Sequence, residues 1–361
     1  MEVFEDMHTD TGMEIHLAPN WRHVGAFLGL TFSLTWLLDL AIYLHGGLRI
    51  PGIAIFTQLE TLLPAFSATV LGLFFFTESP IYRKRSAGRG RWFYDYFLLM
   101  TVIYALAALS VFLAPAQNTI TIAAVVLQIL IILGLLLLIL LRFIAGGEAM
   151  ARVWLSWGNV RYWLFFGLGF VVYYALQVAL NAMFDLGGAS LALPGTHSPI
   201  LLILTGVQTV LLTPLLAILV FFGEEYGWRG YLQSELVKLG RVRGILLVGV
   251  IWGVWHWPII LMGANYPGHP LLGLLLMTLY STGNAVVLGY AVLRSGSVLL
   301  AAFLHGLIDQ VINFIVALGF RPHDPAFSFG IGVYGIATLA IVAFLLLRDP
   351  IWRGRGSNLA R

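Results

Sequence analysis

The chain has 361 residues, of which 60% are hydrophobic and 10% are charged, and its mean hydropathy is +0.90. This composition excludes a soluble globular fold, and the absence of cysteine excludes disulfides, thiolate metal sites and thiol nucleophiles. The net charge of +3 is small, and its distribution along the chain carries more information than its size.

Apolar stretches of about 20 residues recur along the chain, each long enough to cross a hydrocarbon core of about 30 Å as a helix. Continuous apolarity favours helices over barrel strands, because barrel strands alternate between apolar and polar residues. We therefore predict an all-α, polytopic transmembrane helical bundle of about ten spans, with a core of eight or so and extra helices. The predicted spans are residues 24–45, 53–77, 93–114, 119–141, 162–184, 199–222, 244–263, 271–293, 298–318 and 329–347.

Lysine and arginine residues divide unequally between the two sides of such a bundle. With both termini in the cytoplasm, only Arg49 and Arg321 of the 20 basic residues fall outside. The positive-inside rule therefore predicts a multi-pass protein of the cell membrane with cytoplasmic N- and C-termini. Basic residues at these positions anchor the chain to the lipid bilayer, so the basic pI does not imply a nucleic-acid partner.

Four segments follow one another along the chain. Residues 1–23 form an acidic tail without the basic region of a signal peptide, and we predict it to be cytoplasmic. Residues 24–198 contain the N-terminal transmembrane helices, and residues 199–318 contain three polar motifs. Residues 319–361 contain the last transmembrane helix and a basic cytoplasmic tail.

Polar residues are sparse in the spans outside the third segment. Lone polar residues in membrane bundles usually form hydrogen bonds between helices, and we interpret these residues in that way. The two ionisable ones, Asp39 and Glu60, could instead form a coupling pair in a transporter. The set is Asp39, Glu60, Gln128, Gln177 and Asn181.

The first motif places two carboxylates and an arginine directly after the apolar run 200–222. An ionised side chain near the centre of a span costs about 2.5–3.5 kcal/mol, so this cluster predicts a functional site. Glu225 and Arg229 are four residues apart and are predicted to form an ion pair. Glu224 projects about 100° away from Glu225 and has no local cation, which makes it the candidate base.

Glycine residues within the first motif predict close helix packing. Gly223 and Gly227 form a small-xxx-small pattern, which lets a second helix approach the one that carries the carboxylates. Gly230 is expected to extend this face by one turn.

Two further motifs carry histidine on the seventh and ninth spans. Trp252-x-x-x-His256 and His305-x-x-x-Asp309 each place two residues on one helix face, and Asn313 follows one turn later. The positions along the helices predict that Glu224, His256 and His305 meet in the cytoplasmic half of the bilayer. This requires that the helix of Glu224 continues inward or that the seventh span starts late.

Such a group of residues suits hydrolysis. Glu224 and His256 could activate a water molecule, and His305 could donate a hydrogen bond to the oxyanion that forms when water attacks a carbonyl. Asp309 could orient His305 or, if protonated, act as a donor itself. A divalent metal ion held by Glu224, His256 and His305 is the open alternative.

The three motifs together resemble those of the CAAX protease and bacteriocin-processing (CPBP) family of intramembrane proteases. That family has Glu-Glu-x-x-x-Arg, Phe-x-x-x-His and His-x-x-x-Asn or Asp on successive membrane helices. Here they read Glu224-Glu225-x-x-x-Arg229, Trp252-x-x-x-His256 and His305-x-x-x-Asp309. The resemblance implies that residues 199–318 are a catalytic core with a glutamate-dependent site and no cofactor, in which His305 and Asp309 line the oxyanion pocket.

Three functions are compatible with these residues. The first is an endopeptidase that cleaves a membrane-tethered peptide or protein from the cytoplasmic side, and a prenylated CAAX-type substrate is the best-known case in the family. The second is a non-proteolytic scaffold or immunity factor. The third is a transporter in which Glu224, His256, His305 and Asp309 carry protons, with Asp39 and Glu60 contributing.

Overall fold

A computed structural model describes residues 18–84, 88–189, 199–317, 320–328 and 330–353. Most of the predicted acidic tail, residues 1–17, lies outside the described residues, as does the end of the predicted basic tail, residues 354–361.

The described residues form an all-α bundle, as predicted, and every predicted span coincides with one helix or with consecutive helices. One pair of short antiparallel strands, β1 and β2, joins two loops and places Gly188 opposite Arg321. The helices are α1 Trp21–Leu44, α2 Ile53–Phe74, α3 Arg91–Leu113, α4 Gln117–Ile144, α5 Gly147–Ala151, α6 Val160–Met183, α7 Pro199–Val207, α8 Thr213–Leu216, α9 Ile218–Glu225, α10 Gln233–Leu236, α11 Arg241–Trp255, α12 Trp257–Leu261, α13 Pro270–Ser295, α14 Val298–Ala317 and α15 Val333–Leu346, and the strands are β1 Gly187–Ala189 and β2 Phe320–Pro322.

The number of long spans is smaller than ten. Seven helices among the described residues are long and apolar enough to cross a membrane, or up to eight if the bent pair Leu204–Leu216 and Ile218–Leu239 forms one span. The predicted seventh span is divided between α11 and α12, and the tenth corresponds to α15, which has 14 residues. Apolar composition identified these segments, but it carried no information about where each helix breaks.

The sixth predicted span differs most from the structure, because the chain does not leave the bundle at Phe222. It bends by 57° at Ala217 and continues as a helix to Leu239, with π-helical geometry at Tyr226–Leu232. Glu224 therefore lies inside the bundle. Eleven residues, or about 16 Å at 1.5 Å per residue, separate it from Glu235.

The glycine pattern packs the helix of Glu224 against α2, as predicted. A Cβ atom at Gly223 would lie 2.3 Å from the carbonyl oxygen of Thr61, and one at Gly227 would lie 2.5 Å from Cβ of Pro64. Only glycine permits this approach. The expectation for Gly230 was wrong, because this residue faces the ring of Tyr226 on its own helix.

One hydrogen bond marks each end of the bundle. At the end where α1 begins, the amide of Asn20 donates to Glu235 Oε2 at 2.9 Å. At the other end, the hydroxyl of Tyr266 donates to the carbonyl oxygen of Ile331 at 2.7 Å. We call the first the basic end, because the predicted inside loops meet there, and the second the arginine-poor end.

Candidate active site

Four of the six predicted site residues line one cavity of about 260 Å³, and they come from three different parts of the fold. Glu224 is contributed by α9, His256 lies between α11 and α12, and His305 and Asp309 are contributed by α14. Glu225 and Arg229 are buried beside this cavity. The other residues that line it are Trp252, Asn265, Met277, Tyr280, Asn284, Ile308, Ile312, Asn313 and Ile331.

Glu224 is 4% exposed and accepts a hydrogen bond from the indole nitrogen of Trp252, with Nε1 2.6 Å from Oε2. A hydrogen bond to a carboxylate is stronger than one between neutral groups and fixes the orientation of the carboxylate. Trp252 therefore does more than take the place of the family's phenylalanine, because a phenyl ring has no donor. The remaining oxygen, Oε1, is the one able to take a proton from a water molecule.

Glu225 holds two of the other site residues with a single oxygen. Its Oε1 accepts from Nη1 of Arg229 at 3.0 Å and from Nδ1 of His305 at 2.8 Å. The side chains of Glu225 and Arg229 are both fully buried. The guanidinium group of Arg229 also lies 4.1 Å from the ring centre of Trp252, a cation–π contact. The predicted ion pair is therefore present and extends to both histidine-bearing motifs.

His305 is oriented by Glu225. Because a carboxylate accepts, Nδ1 of His305 carries the proton and Nε2 is left for other partners. Oδ2 of Asp309 lies 4.0 Å from Nε2, which is beyond hydrogen-bonding distance. The role of orienting His305, which the sequence suggested for Asp309, thus falls to Glu225 in this geometry. Asp309 is 48% exposed in its side chain.

His256 lies at the junction between α11 and α12. Its Nδ1 is 2.8 Å from the carbonyl oxygen of Trp252. A carbonyl only accepts, so Nδ1 carries the proton and Nε2 of the neutral imidazole has a free lone pair. The ring packs against that of Trp255, with centroids 4.7 Å apart. This arrangement makes His256 a hydrogen-bond acceptor.

A second cavity of about 260 Å³ adjoins the first, and Glu224, His256 and Asn265 line both. Asp39 and Glu60 line it from α1 and α2, where they are 2% and 5% exposed. For these two carboxyls the sequence predicts either lone hydrogen-bonding residues on separate helices or a coupling pair in a transporter. No local pattern could have joined them to Glu224, because the shared cavity depends on how α1 and α2 pack beside α9.

Asn284 is a site residue that the sequence analysis did not identify. It is 2% exposed, lines the first cavity from the middle of α13, and donates to the carbonyl oxygen of Tyr280 at 3.2 Å. The available signal was a tyrosine and an asparagine four residues apart within an apolar span.

The described residues include no group of three histidine, aspartate or glutamate side chains placed to hold a metal ion. Glu224, His256 and His305 share a cavity, but they do not form such a group.

Trp252→Phe is expected to lower the rate of any reaction that uses Glu224 by about 10- to 150-fold, since each 1.36 kcal/mol is tenfold in rate. It removes a hydrogen bond to a charged group, a loss of about 1.5–3 kcal/mol, but leaves an aromatic ring beside Arg229. The measurement is kcat/KM together with the thermal unfolding midpoint. Trp255→Phe is the matched control, because its indole donates to Thr35 instead. Equal losses of activity in both variants would contradict a specific role for the Trp252 bond.

Residues 206–311 match the family model described as type II CAAX prenyl endopeptidase Rce1-like. The matched segment contains Glu224, Glu225, Arg229, His256, His305 and Asp309. The match confirms the family resemblance that the three motifs indicated. No curated protein and no solved structure matches the chain.

Proposed function

We propose, on the premise that residues 206–311 form an Rce1-like type II CAAX prenyl endopeptidase domain, that this chain is an intramembrane endopeptidase acting on a membrane-tethered peptide or protein. One observation carries the proposal: Glu224, His256 and His305 line one cavity, and each is held by a hydrogen bond that leaves its other polar atom available. Several helices of the chain are long and apolar enough to cross a membrane, so we expect the lipid bilayer to surround the bundle that contains this cavity.

In the first step, Glu224 acts as the general base. Its Oε1 takes a proton from a water molecule while Nε2 of His256 accepts a hydrogen bond from the same water. The water oxygen then bonds to the carbonyl carbon of the substrate. General-base catalysis of this kind contributes about 10²–10⁴ to the rate.

In the second step, the negative charge on the carbonyl oxygen is stabilised by His305. With Nδ1 bonded to the carboxylate of Glu225, the ring is oriented so that a proton on Nε2, carried by the imidazolium form, is donated to the oxyanion. One such donor is worth about 2.7–4 kcal/mol in other hydrolases. Glu224 then returns its proton to the leaving amine, and the C–N bond breaks.

The test uses purified protein in proteoliposomes with internally quenched peptides that carry a lipid anchor at one end, prenylated and acylated. We expect cleavage of at least one such peptide, unchanged by a metal chelator. Loss of cleavage on chelation, with recovery on adding Zn²⁺, would assign the water to a metal ion at Glu224, His256 and His305. No cleavage across the panel would contradict the proposal and favour the scaffold or immunity function.

A proton-coupled transporter is the second candidate function. The second cavity favours it, because it brings Asp39 and Glu60 next to Glu224 and His256 and so groups four titratable residues from four parts of the fold. Proton-coupled solute uptake into the same proteoliposomes, abolished by Glu60→Gln, would support this function. Peptide cleavage without uptake would exclude it.

A further inference from the structure

Both cavities extend to the arginine-poor end of the bundle. Asn265 and Ile331, which line the first cavity, lie in the loops that precede α13 and α15 at this end. Asn313 lies four residues before the end of α14 and is exposed. The second cavity is likewise lined by Leu48 and Ala264 from loops at this end.

The opposite side of the site is packed. On the helix of Glu224, the next residues towards the basic end include Trp228 and Leu232, each 0% exposed, and Leu236 at 1%. On α14, Leu304 precedes His305 and is also 0% exposed. Exposure on α14 begins at Asp309, one turn beyond His305 towards the arginine-poor end. Among the residues that the structure describes, the site is thus closed towards the basic end and open at the other.

The sequence-based expectation concerned the depth of the site, in the cytoplasmic half of the bilayer, and it stays a prediction. The condition attached to it is met, because the helix of Glu224 continues to Leu239 at the basic end. The charge distribution itself is unchanged, with Arg49 and Arg321 the only basic residues in the loops of the arginine-poor end. By the positive-inside rule this end faces away from the cytoplasm.

We infer that the site receives its peptide from the non-cytoplasmic side of the membrane. The inference rests on the proposed function for what happens in the cavity, but not for where the cavity opens. The substrate is then an extracytoplasmic peptide segment tethered to the membrane. A prenylated C-terminus presented from the cytoplasm would not reach Glu224 through the packed end.

The polar lining agrees with a peptide as the ligand. Asn265, Asn284, Asp309 and Asn313 place amide and carboxyl groups on the wall of the first cavity. These groups can bond to the N–H and C=O groups of a peptide main chain. An isoprenoid chain would remove them from water without replacing those hydrogen bonds, at a cost of about 1–3 kcal/mol for each group.

The chain contains no cysteine, so single cysteines report access directly. Asn313→Cys places a thiol in the mouth of the first cavity. Asn118→Cys, in the first turn of α4, marks the arginine-poor end, and Glu148→Cys on α5 marks the basic end; both positions are exposed. A membrane-impermeant maleimide added to intact cells is expected to label Asn313→Cys and Asn118→Cys. Glu148→Cys should be labelled only after permeabilisation.

Two results would overturn the inference. Labelling of Glu148→Cys but not Asn118→Cys in intact cells would reverse the orientation of the bundle. Labelling of Asn118→Cys with Asn313→Cys protected until permeabilisation would show that the cavity does not open outward. Labelling after denaturation in detergent measures the total thiol of each variant, so a poorly produced variant is not mistaken for a protected one.

The same variants separate this inference from the proposed function. In proteoliposomes of known orientation, an acylated quenched peptide is supplied either outside or sealed inside. Cleavage is expected only on the side that labels Asn118→Cys, and cleavage confined to the other side would overturn the inference. Outward labelling of Asn313→Cys without cleavage on either side would contradict the endopeptidase and leave the direction of access established.

Discussion

Glu224→Gln is expected to reduce peptide cleavage in proteoliposomes by about 10²–10⁴-fold, the contribution of general-base catalysis. The amide cannot take a proton from water, but its oxygen can still accept the hydrogen bond from Trp252 Nε1. The substitution keeps the shape of a residue that is 4% exposed, so the thermal unfolding midpoint should change little. Initial rates and the unfolding midpoint are measured on the same preparation.

Glu235→Gln is the matched control for this variant. It makes the same chemical change on the same continuous helix, at the basic end, where Glu235 bonds to Asn20 and Lys238. Its cleavage rate is expected to equal that of the wild type. If Glu224→Gln turned over peptide at the wild-type rate, Glu224 would not be the base and the proposed mechanism would fail.

Arg229→Ala is expected to lower the free energy of unfolding by about 3–5 kcal/mol, because it leaves the buried carboxylate of Glu225 without its cation. Arg229 and Glu225 are fully buried, and their N–O distance is 3.0 Å. Activity should fall as well, since Glu225 also orients His305. Unfolding by SDS in mixed micelles measures the stability, and kcat/KM at a temperature where the variant is folded measures the activity.

Lys238→Ala provides the comparison for that prediction. It breaks a second ion pair on the same helix, with Glu235, but these side chains are 26% and 16% exposed. A pair open to solvent contributes about 0–1 kcal/mol, so the loss should be much smaller. Equal losses in Arg229→Ala and Lys238→Ala would show that burial adds nothing at Arg229. A stable Arg229→Ala protein with wild-type activity would contradict the role of Glu225 as a shared acceptor.

The predicted ion pair of Glu225 and Arg229 illustrates what helical spacing can predict. Residues four apart on a helix face the same side, so the pair follows from the sequence once the segment is helical. The third partner, Nδ1 of His305, is 80 residues away along the chain. Whether this nitrogen reaches Glu225 depends on the packing of α14 against α9. Helical spacing alone therefore offers Asp309, the nearest acidic residue on the same helix, as the residue that could orient His305.

Trp252 illustrates a second limit. The motif identifies its position, and the family pattern suggests only an aromatic ring there. Whether the indole nitrogen reaches a carboxylate depends on the rotation of α11 relative to α9, which places Nε1 2.6 Å from Glu224. The same limit applies to Glu60, which lies on α2, the helix that Gly223 and Gly227 allow to pack closely, and to Asp39, which lines the second cavity from α1.

Composition and the run lengths of apolar residues were enough to establish a helical membrane bundle, because each span must satisfy its backbone hydrogen bonds within itself. Motif spacing was enough to indicate the family resemblance, which the match over residues 206–311 confirms, and to select the six candidate residues. The tertiary structure alone decided which carboxylate holds which side chain and towards which end the cavity opens. Both features depend on the bend at Ala217 and on the helix that continues from there to Leu239. Long-range packing keeps the polar segment of this helix inside the bundle.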